Sequence, residues 1–137
     1  MSADDAALLN ALSADAVCER LHLTAFGDGS FRHHGTPEII LLPVGEILPW
    51  QKRTAPITIR HIAGAPIALT LSPNGYDAEA HYLKDGHAVE IAMACWHTGE
   101  TLGHWSLIGL DNEAGTQAEL AASDWFPTPM AKTEGEA

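Results

Sequence analysis

The residues of this sequence that could do chemistry are concentrated between Gly45 and Gly64. Gln51 and Arg53 stand two positions apart, so on a β-strand their side chains share one face. The planar fork of an arginine matches a carboxylate or phosphate group, and a glutamine amide can add further hydrogen bonds. This spacing predicts a pocket for a small polar or anionic ligand.

Two histidines are candidates for acid-base chemistry, His61 inside this stretch and His97 beyond it. Strand alternation puts Ile57, Ile59 and His61 on one face, which we expect to point into the fold, while Arg60 points outward. Three roles remain open for His97, namely metal ligand, pocket-wall hydrogen-bonding or acid-base group, and structural histidine. One imidazole alone cannot supply the three or four ligands of a zinc or iron site.

Aromatic residues and one more arginine complete the candidate ligand-binding set. Trp50 and Trp96 flank the polar positions, and an indole beside a pocket can stack on a sugar ring, although packing also explains such residues. Arg32 lies on an earlier predicted strand. It either lines the mouth of the pocket or forms an ion pair at the surface, and we favour the surface ion pair.

The charge distribution supports a local anion site in an acidic protein. The formal net charge of −11 disfavours nucleic acids and anionic membranes as partners, because both need a basic surface. Residues 47–76 nevertheless contain no Asp or Glu and hold three of the seven basic residues. The alternative is that Lys52 and Arg53 only solvate a loop before Pro56.

Length and composition indicate one globular domain. The 137 residues, 46% hydrophobic and 18% charged, suffice for a core of their own. The sequence has neither a bilayer-spanning apolar run nor a basic signal-peptide start, so we expect a cytoplasmic protein. Cys18 and Cys95 match no disulfide framework or zinc spacing and are expected to be buried thiols.

The elements that must position these residues are a short helical segment followed by many strands. Residues 1–22 read as helix, with Ser2 and Asp5 resembling a capping box and Ser13 capping a second stretch that carries Val17 and Leu21 on one face. From residue 23 onward, short apolar or alternating runs separated by turn residues predict a mainly β class. Residues 128–137 form an expected flexible tail.

The predicted strands include a hairpin across the polar stretch and a type I′ turn at Asn74-Gly75, with a second turn at Asp85-Gly86. The predicted bounds are 30–34, 38–42, 45–50 and 57–62, the last two forming the hairpin, then 66–71, 76–83, 88–96, 105–110 and 119–122. Eight or more antiparallel strands predict a jelly roll.

The sequence from Arg20 to Pro127 resembles the small single-domain cupins labelled as predicted sugar epimerases of unknown function, which share the RmlC-like jelly roll. The resemblance is carried by three ordered runs, AGAPIALTLS at residues 63–72, GHWSLIG at 103–109 and SDWFP at 123–127. It is supported by LHL at 21–23, GSFR at 29–32 and LLPVGE at 41–46. The resemblance implies a cupin domain at 23–127, with homodimer formation covering an exposed sheet edge.

The departures from this family fall at its metal ligands. The first cupin motif, G-x5-H-x-H-x3-E-x6-G, keeps its glycines at Gly45 and Gly64, but Gln51, Arg53 and Ile57 occupy the ligand positions. An amide, a guanidinium cation and an alkyl group cannot replace two histidines and a glutamate. We therefore expect a degenerate metal site with no metal and no cofactor.

The second cupin motif, G-x5-P-x-G-x2-H, counted from Gly86, places His97 at its histidine, with Ala92 and Ala94 replacing Pro and Gly. Two function classes follow. The favoured one is a binding module for a small sugar, phosphate or carboxylate ligand. The alternative, implied by the resemblance to RmlC-like cupins, is a metal-independent sugar or sugar-nucleotide epimerase with His61 or His97 as its base. A homodimer with an idle pocket remains a third possibility.

Overall fold

A computed structural model describes residues 3–27, 29–33, 38–112 and 118–120. Two helices open the chain, α1 (Ala3–Asn10) and α2 (Ala14–Leu21). The predicted cap at Ser13 is confirmed, since its hydroxyl accepts a hydrogen bond from the Ala16 amide at 3.2 Å. The predicted partner cap, Ser2, lies outside the described residues. Neither described helix, at eight residues each, has the length and apolar character needed to span a bilayer.

Strands account for most of the remaining described chain. The predicted strand at 30–34 is Phe31–His33, and the one at 119–122 is Ala118–Leu120. Their outermost predicted residues, 34, 121 and 122, and the tail at 128–137 lie outside the described residues. The strands are β1 (Thr24–Ala25), β2 (Phe31–His33), β3 (Glu38–Pro43), β4 (Gln51–Arg53), β5 (Ile57–Gly64), β6 (Ile67–Ser72), β7 (Glu79–Leu83), β8 (Ala88–Ile91), β9 (Trp96–Thr101), β10 (Trp105–Asn112) and β11 (Ala118–Leu120).

The described strands form two antiparallel sheets, as predicted for a jelly roll. The first sheet runs in the order β1, β2, β3, β10, β5 and β8, and the second in the order β11, β4, β9, β6 and β7. Consecutive strands thus change sheet at several points, which brings residues distant in sequence onto facing walls.

Side-chain alternation divides the apolar residues between two cores. Ile40 and Leu42 of β3 belong to the cluster between the sheets, while Leu41 belongs to a second cluster on the outer side of the first sheet. The helices cover this outer side with Leu9 and Val17, both buried. The helical segment therefore does more than flank the domain, because it buries apolar surface that the sheet would otherwise expose to water.

The predicted hairpin across the polar stretch is wrong in two respects. The strand lies at Gln51–Arg53 rather than 45–50, and it pairs with β9 and β11, whereas the following strand pairs with β8 and β10. The chain turns a corner at residues 54–56, where Pro56 offers no amide hydrogen for a ladder. The two strands therefore lie in different sheets instead of pairing with each other.

Two other predictions also need correction. The strand predicted at 88–96 is two strands in different sheets, because Ala94 adopts φ +63° and its amide donates to the Arg53 carbonyl at 2.9 Å. Asn74 does not form a two-residue type I′ turn, since its side-chain oxygen accepts from the amides of Tyr76 and Asp77 and holds a longer loop. The turn at Asp85-Gly86 is confirmed, with positive φ at both residues.

The two glycines of the polar stretch both adopt left-handed backbone but differ in the space around them. Gly45 has φ +84°, and no described atom lies within 4 Å of an added Cβ. Gly64 has φ +83°, and an added Cβ would stand 2.5 Å from the Trp105 ring and from its carbonyl oxygen. Gly64 thus meets both a conformational and a steric requirement.

This difference predicts unequal losses of stability on alanine substitution. Gly45→Ala should lower the free energy of unfolding by about 1–2 kcal/mol through backbone strain alone. Gly64→Ala should lose a further ~1–3 kcal/mol, because the Cβ forces Trp105 to move within a packed core. Urea unfolding of both variants measures the difference, and equal losses would contradict the packing described here.

Homodimer formation stays a prediction. In the described part of the chain, β7 and β8 each end a sheet and leave backbone groups free for pairing with a second copy. Light scattering at micromolar concentration should give about twice the chain mass of 14.6 kDa. A single species at the chain mass would contradict it.

Candidate ligand-binding site

Gln51, Arg53 and His97 lie on neighbouring strands and face the space between the sheets. Gln51 of β4 pairs with His97 of β9, and His97 pairs on its other side with Leu71, a core residue. Paired residues share a face, so Gln51 and His97 point inward together with Leu71. Gln51 is 6% and His97 3% exposed. Arg53, two residues after Gln51, shares this face and is half-buried.

The Arg53 guanidinium is incompletely satisfied. Its Nη2 lies 3.5 Å from Gln51 Oε1, a long contact, and its Nε is buried with no hydrogen-bond partner in the part of the chain that the structure describes. Burial lowers the pKa of Arg53, the nearby Glu38 carboxylate raises it, and the Arg32 charge lowers it. A cation with a free donor therefore stands inside the fold.

Arg32 and Glu38 form the opposite wall of this site. Arg32 pairs in register with Ile40, which places it on the inner face of the first sheet. Its Nε donates to Ser30 Oγ at 3.0 Å, its Nη1 lies 3.6 Å from Glu38 Oε2, and its guanidinium carbon lies 4.0 Å from the Phe26 ring centre. The predicted ion pair of Arg32 therefore forms, but its placement at the surface is wrong, because Arg32 is only 6% exposed.

His97 presents a free lone pair to the same space. Its Nδ1 lies 3.1 Å from the Cys95 carbonyl oxygen, so Nδ1 carries the proton and donates. Its Nε2 is buried and has no hydrogen-bond partner among the described residues. Burial lowers the pKa of His97, the hydrogen bond to Cys95 opposes this, and the Arg53 charge lowers the pKa further. His97 is therefore a neutral hydrogen-bond acceptor at neutral pH.

His61 is buried on the expected face but lies apart from this group. Its Nε2 stands 3.2 Å from the Gly64 carbonyl oxygen and 3.0 Å from that of Ala65, so it holds the end of its own strand. Its Nδ1 has no partner within the described chain. His61 follows Ile57 by four residues, or about 13 Å along the strand. These contacts support a structural role for His61.

The two isoleucines form an apolar wall. Ile57 and Ile59 are 2% and 1% exposed and belong to the core between the sheets, as their alternation predicts. Arg60 points outward and donates to the Gly86 carbonyl oxygen at 2.8 Å. The two isoleucines thus belong to the apolar core between the sheets, the space that Arg53 also faces.

Of the two tryptophans, Trp96 points away from the polar residues Gln51, Arg53 and His97. The ring centre of Trp96 lies 4.9 Å from Lys52 Nζ, and both residues alternate with the inward-facing Gln51 and His97. This pair therefore occupies the outer face of the second sheet. Trp50 is half-buried, next to Gln51. The structure thus separates Trp96 from the polar residues that the sequence placed beside it.

Two contributors to the site were missed by the sequence reasoning. Glu38 was predicted only as the start of a strand, although it shares the parity of Ile40 and Leu42 and so faces inward. The Cys95 carbonyl, which fixes the His97 tautomer, leaves no sequence signal, because it depends on the local backbone path. The sequence did hold a signal for Glu38, since it stands at the same alternating positions as the inward-facing Ile40 and Leu42.

The described residues do not gather the side chains of a metal centre. No group of three or more His, Cys, Asp or Glu is arranged to hold a metal ion within that part of the chain. The first-motif positions hold an amide, a guanidinium and an alkyl group, and the guanidinium cation near His97 repels a metal ion.

Neither a protein-family model nor a curated protein sequence matches this chain. Solved structures do resemble it. A structural genomics target from Shewanella oneidensis has a TM-score of 0.69 and 18% identity over 81% of this chain and 85% of that chain. Procruciferin, an 11S globulin from Brassica napus, has a TM-score of 0.63 and 8% identity over 75% of this chain and 30% of the globulin.

The capsular polysaccharide assembling protein CapF from Staphylococcus aureus also resembles this chain, with a TM-score of 0.55 and 10% identity over 72% of this chain and 31% of CapF. The globulin and CapF are cupin-fold proteins. The chain therefore has the cupin jelly-roll fold with a small helical part. At such low sequence identities, the structural similarity shows a shared fold and nothing about activity or ligand.

The lowered pKa of His97 predicts a loss of stability in acid. The unfolded chain binds a proton near pH 6.5, whereas the buried imidazole binds it only at lower pH, so stability is complete above about 6.5 and falls as pH decreases toward the folded pKa. His97→Gln should flatten this part of the unfolding curve, measured in urea from pH 8 to 5. His33→Gln is the control, since His33 is exposed and should leave the curve unchanged.

The residues at the first-motif positions predict that the purified protein carries no stoichiometric transition metal. Replacing Gln51 and Arg53 with His and Ile57 with Glu should create a site together with His97, because this set supplies neutral nitrogens and a carboxylate. Elemental analysis of both proteins after dialysis against zinc checks this. About one zinc per chain in the parent would show that other residues supply ligands.

Proposed function

We propose that this cupin-fold protein is a binding module that holds a small carboxylate or phosphate ligand between its sheets. The observation that carries the proposal is the pair of unsatisfied polar atoms on neighbouring strands, Arg53 Nε and His97 Nε2. Buried polar groups in folded proteins are nearly always hydrogen-bonded, and an unmet one costs about 1–3 kcal/mol. A ligand that satisfies both recovers this free energy on binding.

The charge inside the fold favours an anion. Arg32 forms an ion pair with Glu38. The Glu38 carboxylate also lies near Arg53 and raises the pKa of Arg53. Even half-buried, a cation that is incompletely paired loses part of its hydration at a cost in free energy. An anionic ligand beside Arg53 removes this cost and gains a charge-assisted hydrogen bond.

Gln51 supports the same interpretation. Its side chain is buried between the two unsatisfied residues, with Oε1 toward Arg53 at a long 3.5 Å. A ligand oxygen closer to the guanidinium would replace this weak contact with a strong one, leaving the amide free to bind the ligand as well. Arg53, Gln51 and His97 therefore form one polar patch on β4 and β9.

A second candidate is a metal-independent epimerase or isomerase. It is favoured by one observation, the neutral His97 with an unprotonated Nε2, because such a group can take a proton from a carbon beside a carbonyl. Water or a second acid on the opposite face would then have to supply the proton that completes the inversion. Its signature is exchange of that substrate proton for deuterium in D2O. A binding module stabilises its ligand without such exchange.

The binding proposal predicts that small anions raise the melting temperature through Arg53. At a ligand concentration 100 times the Kd, stabilisation should reach about 2.7 kcal/mol. Arg53→Met should abolish the shift and leave the protein folded, because Met fills a similar volume without the charge. A thermal-shift panel of carboxylates and sugar phosphates at low and moderate salt measures this.

The matched control is Arg60→Met, which removes an exposed arginine of the same region. It should respond to anions as the parent does, since Arg60 faces away from the site. The proposal fails if no anion stabilises the parent, or if Arg53→Met keeps the full response. An equal loss in both variants would instead indicate screening of overall charge.

A further inference from the structure

The two unsatisfied atoms differ in hydrogen-bonding character, and this difference restricts the ligand. Arg53 Nε carries a hydrogen and can only donate, while His97 Nε2 holds a lone pair because Nδ1 donates to the Cys95 carbonyl. One ligand that satisfies both must therefore present an acceptor to Arg53 and a donor to His97.

The two residues are neighbours on paired strands. His97 is the cross-strand partner of Gln51, and Arg53 follows Gln51 by two residues on the same face. The Arg53 charge is near enough to lower the pKa of His97. An acceptor and a donor a few bonds apart on one small molecule can therefore serve both residues.

We infer that the ligand is a hydroxy acid, a molecule in which a carboxylate and a hydroxyl group stand on the same or neighbouring carbons. The carboxylate accepts hydrogen bonds from Arg53, and the hydroxyl donates to His97 Nε2. This inference rests on the proposed binding function and specifies its ligand class. It covers sugar acids as well as short hydroxy acids, since both contain this pair of groups.

The charges around the site argue for this class over two others. The Glu38 carboxylate near Arg53 repels a phosphate, which carries close to two negative charges, more strongly than it repels a single carboxylate. An amino acid could donate to His97 through its ammonium group, but Arg53 would repel that cation. A hydroxyl group is neutral, so Arg53 does not repel it, and a hydroxy acid carries only one negative charge.

The test compares three probes of nearly equal size, namely lactate, propanoate and lactamide. Propanoate keeps the charge without the hydroxyl, and lactamide keeps the hydroxyl without the charge. Titration calorimetry on the full chain should show lactate binding about tenfold more tightly than propanoate, since propanoate leaves the His97 lone pair unmet. Lactamide should bind more weakly than both, because it lacks the charge that pairs with Arg53.

Two substitutions of His97 isolate the lone pair. In His97→Asn the side-chain amide reaches the position of Nδ1 and can still donate to Cys95, but the acceptor at Nε2 is lost. In His97→Gln the longer side chain can place an oxygen near the Nε2 position. The preference for lactate over propanoate should disappear in His97→Asn and persist at least in part in His97→Gln. Circular dichroism and melting temperature verify that both variants fold.

The outcomes separate this inference from the binding proposal. If lactate and propanoate bind equally to the parent, the hydroxy-acid inference is overturned while anion binding stands. If neither binds and sugar acids such as gluconate also fail, both are overturned. A preference for lactate that survives unchanged in His97→Asn would show that the hydroxyl contacts another residue, which also overturns the inference.

Discussion

The partial burial of the Arg53 side chain on the inner face of its sheet is the constraint on which the rest of this site depends. A cation there loses hydration, and the lowered pKa of Arg53 expresses that loss. Three features compensate in part, namely the neighbouring Glu38, the oxygen of Gln51 and the neutral state of His97. None of them gives Arg53 Nε a hydrogen bond. This unpaired donor is the feature on which the proposal of an anionic ligand rests.

Packing fixes the backbone around this site, whereas its chemistry depends on the side chains that the backbone carries. Gly64 shows the packing constraint, since it lies against the Trp105 ring in a left-handed backbone that only glycine adopts without strain. On β4, between Gly45 and Gly64, the inward-facing positions present an amide and a guanidinium. A fold constrained by packing can keep one shape while the side chains of its site vary.

Local alternation was sufficient to predict the class, most strands and the inward face of the polar stretch, because period-two patterning is a property of neighbouring residues. It could not reveal that β4 and β5 belong to different sheets, nor that the segment from Ala88 to Trp96 breaks at Ala94. Those features depend on the closure of the sheets. The proximity of Glu38 to Arg53 was missed for the same reason, because the two residues lie on strands of different sheets.

The most direct test is a crystal structure of the protein grown with propanoate, the simplest anion that Arg53 should accept. We expect a carboxylate oxygen about 2.7–2.9 Å from the Arg53 guanidinium, with His97 Nδ1 still donating to the Cys95 carbonyl. A guanidinium turned out into solvent, with no anion between the sheets, would contradict the account.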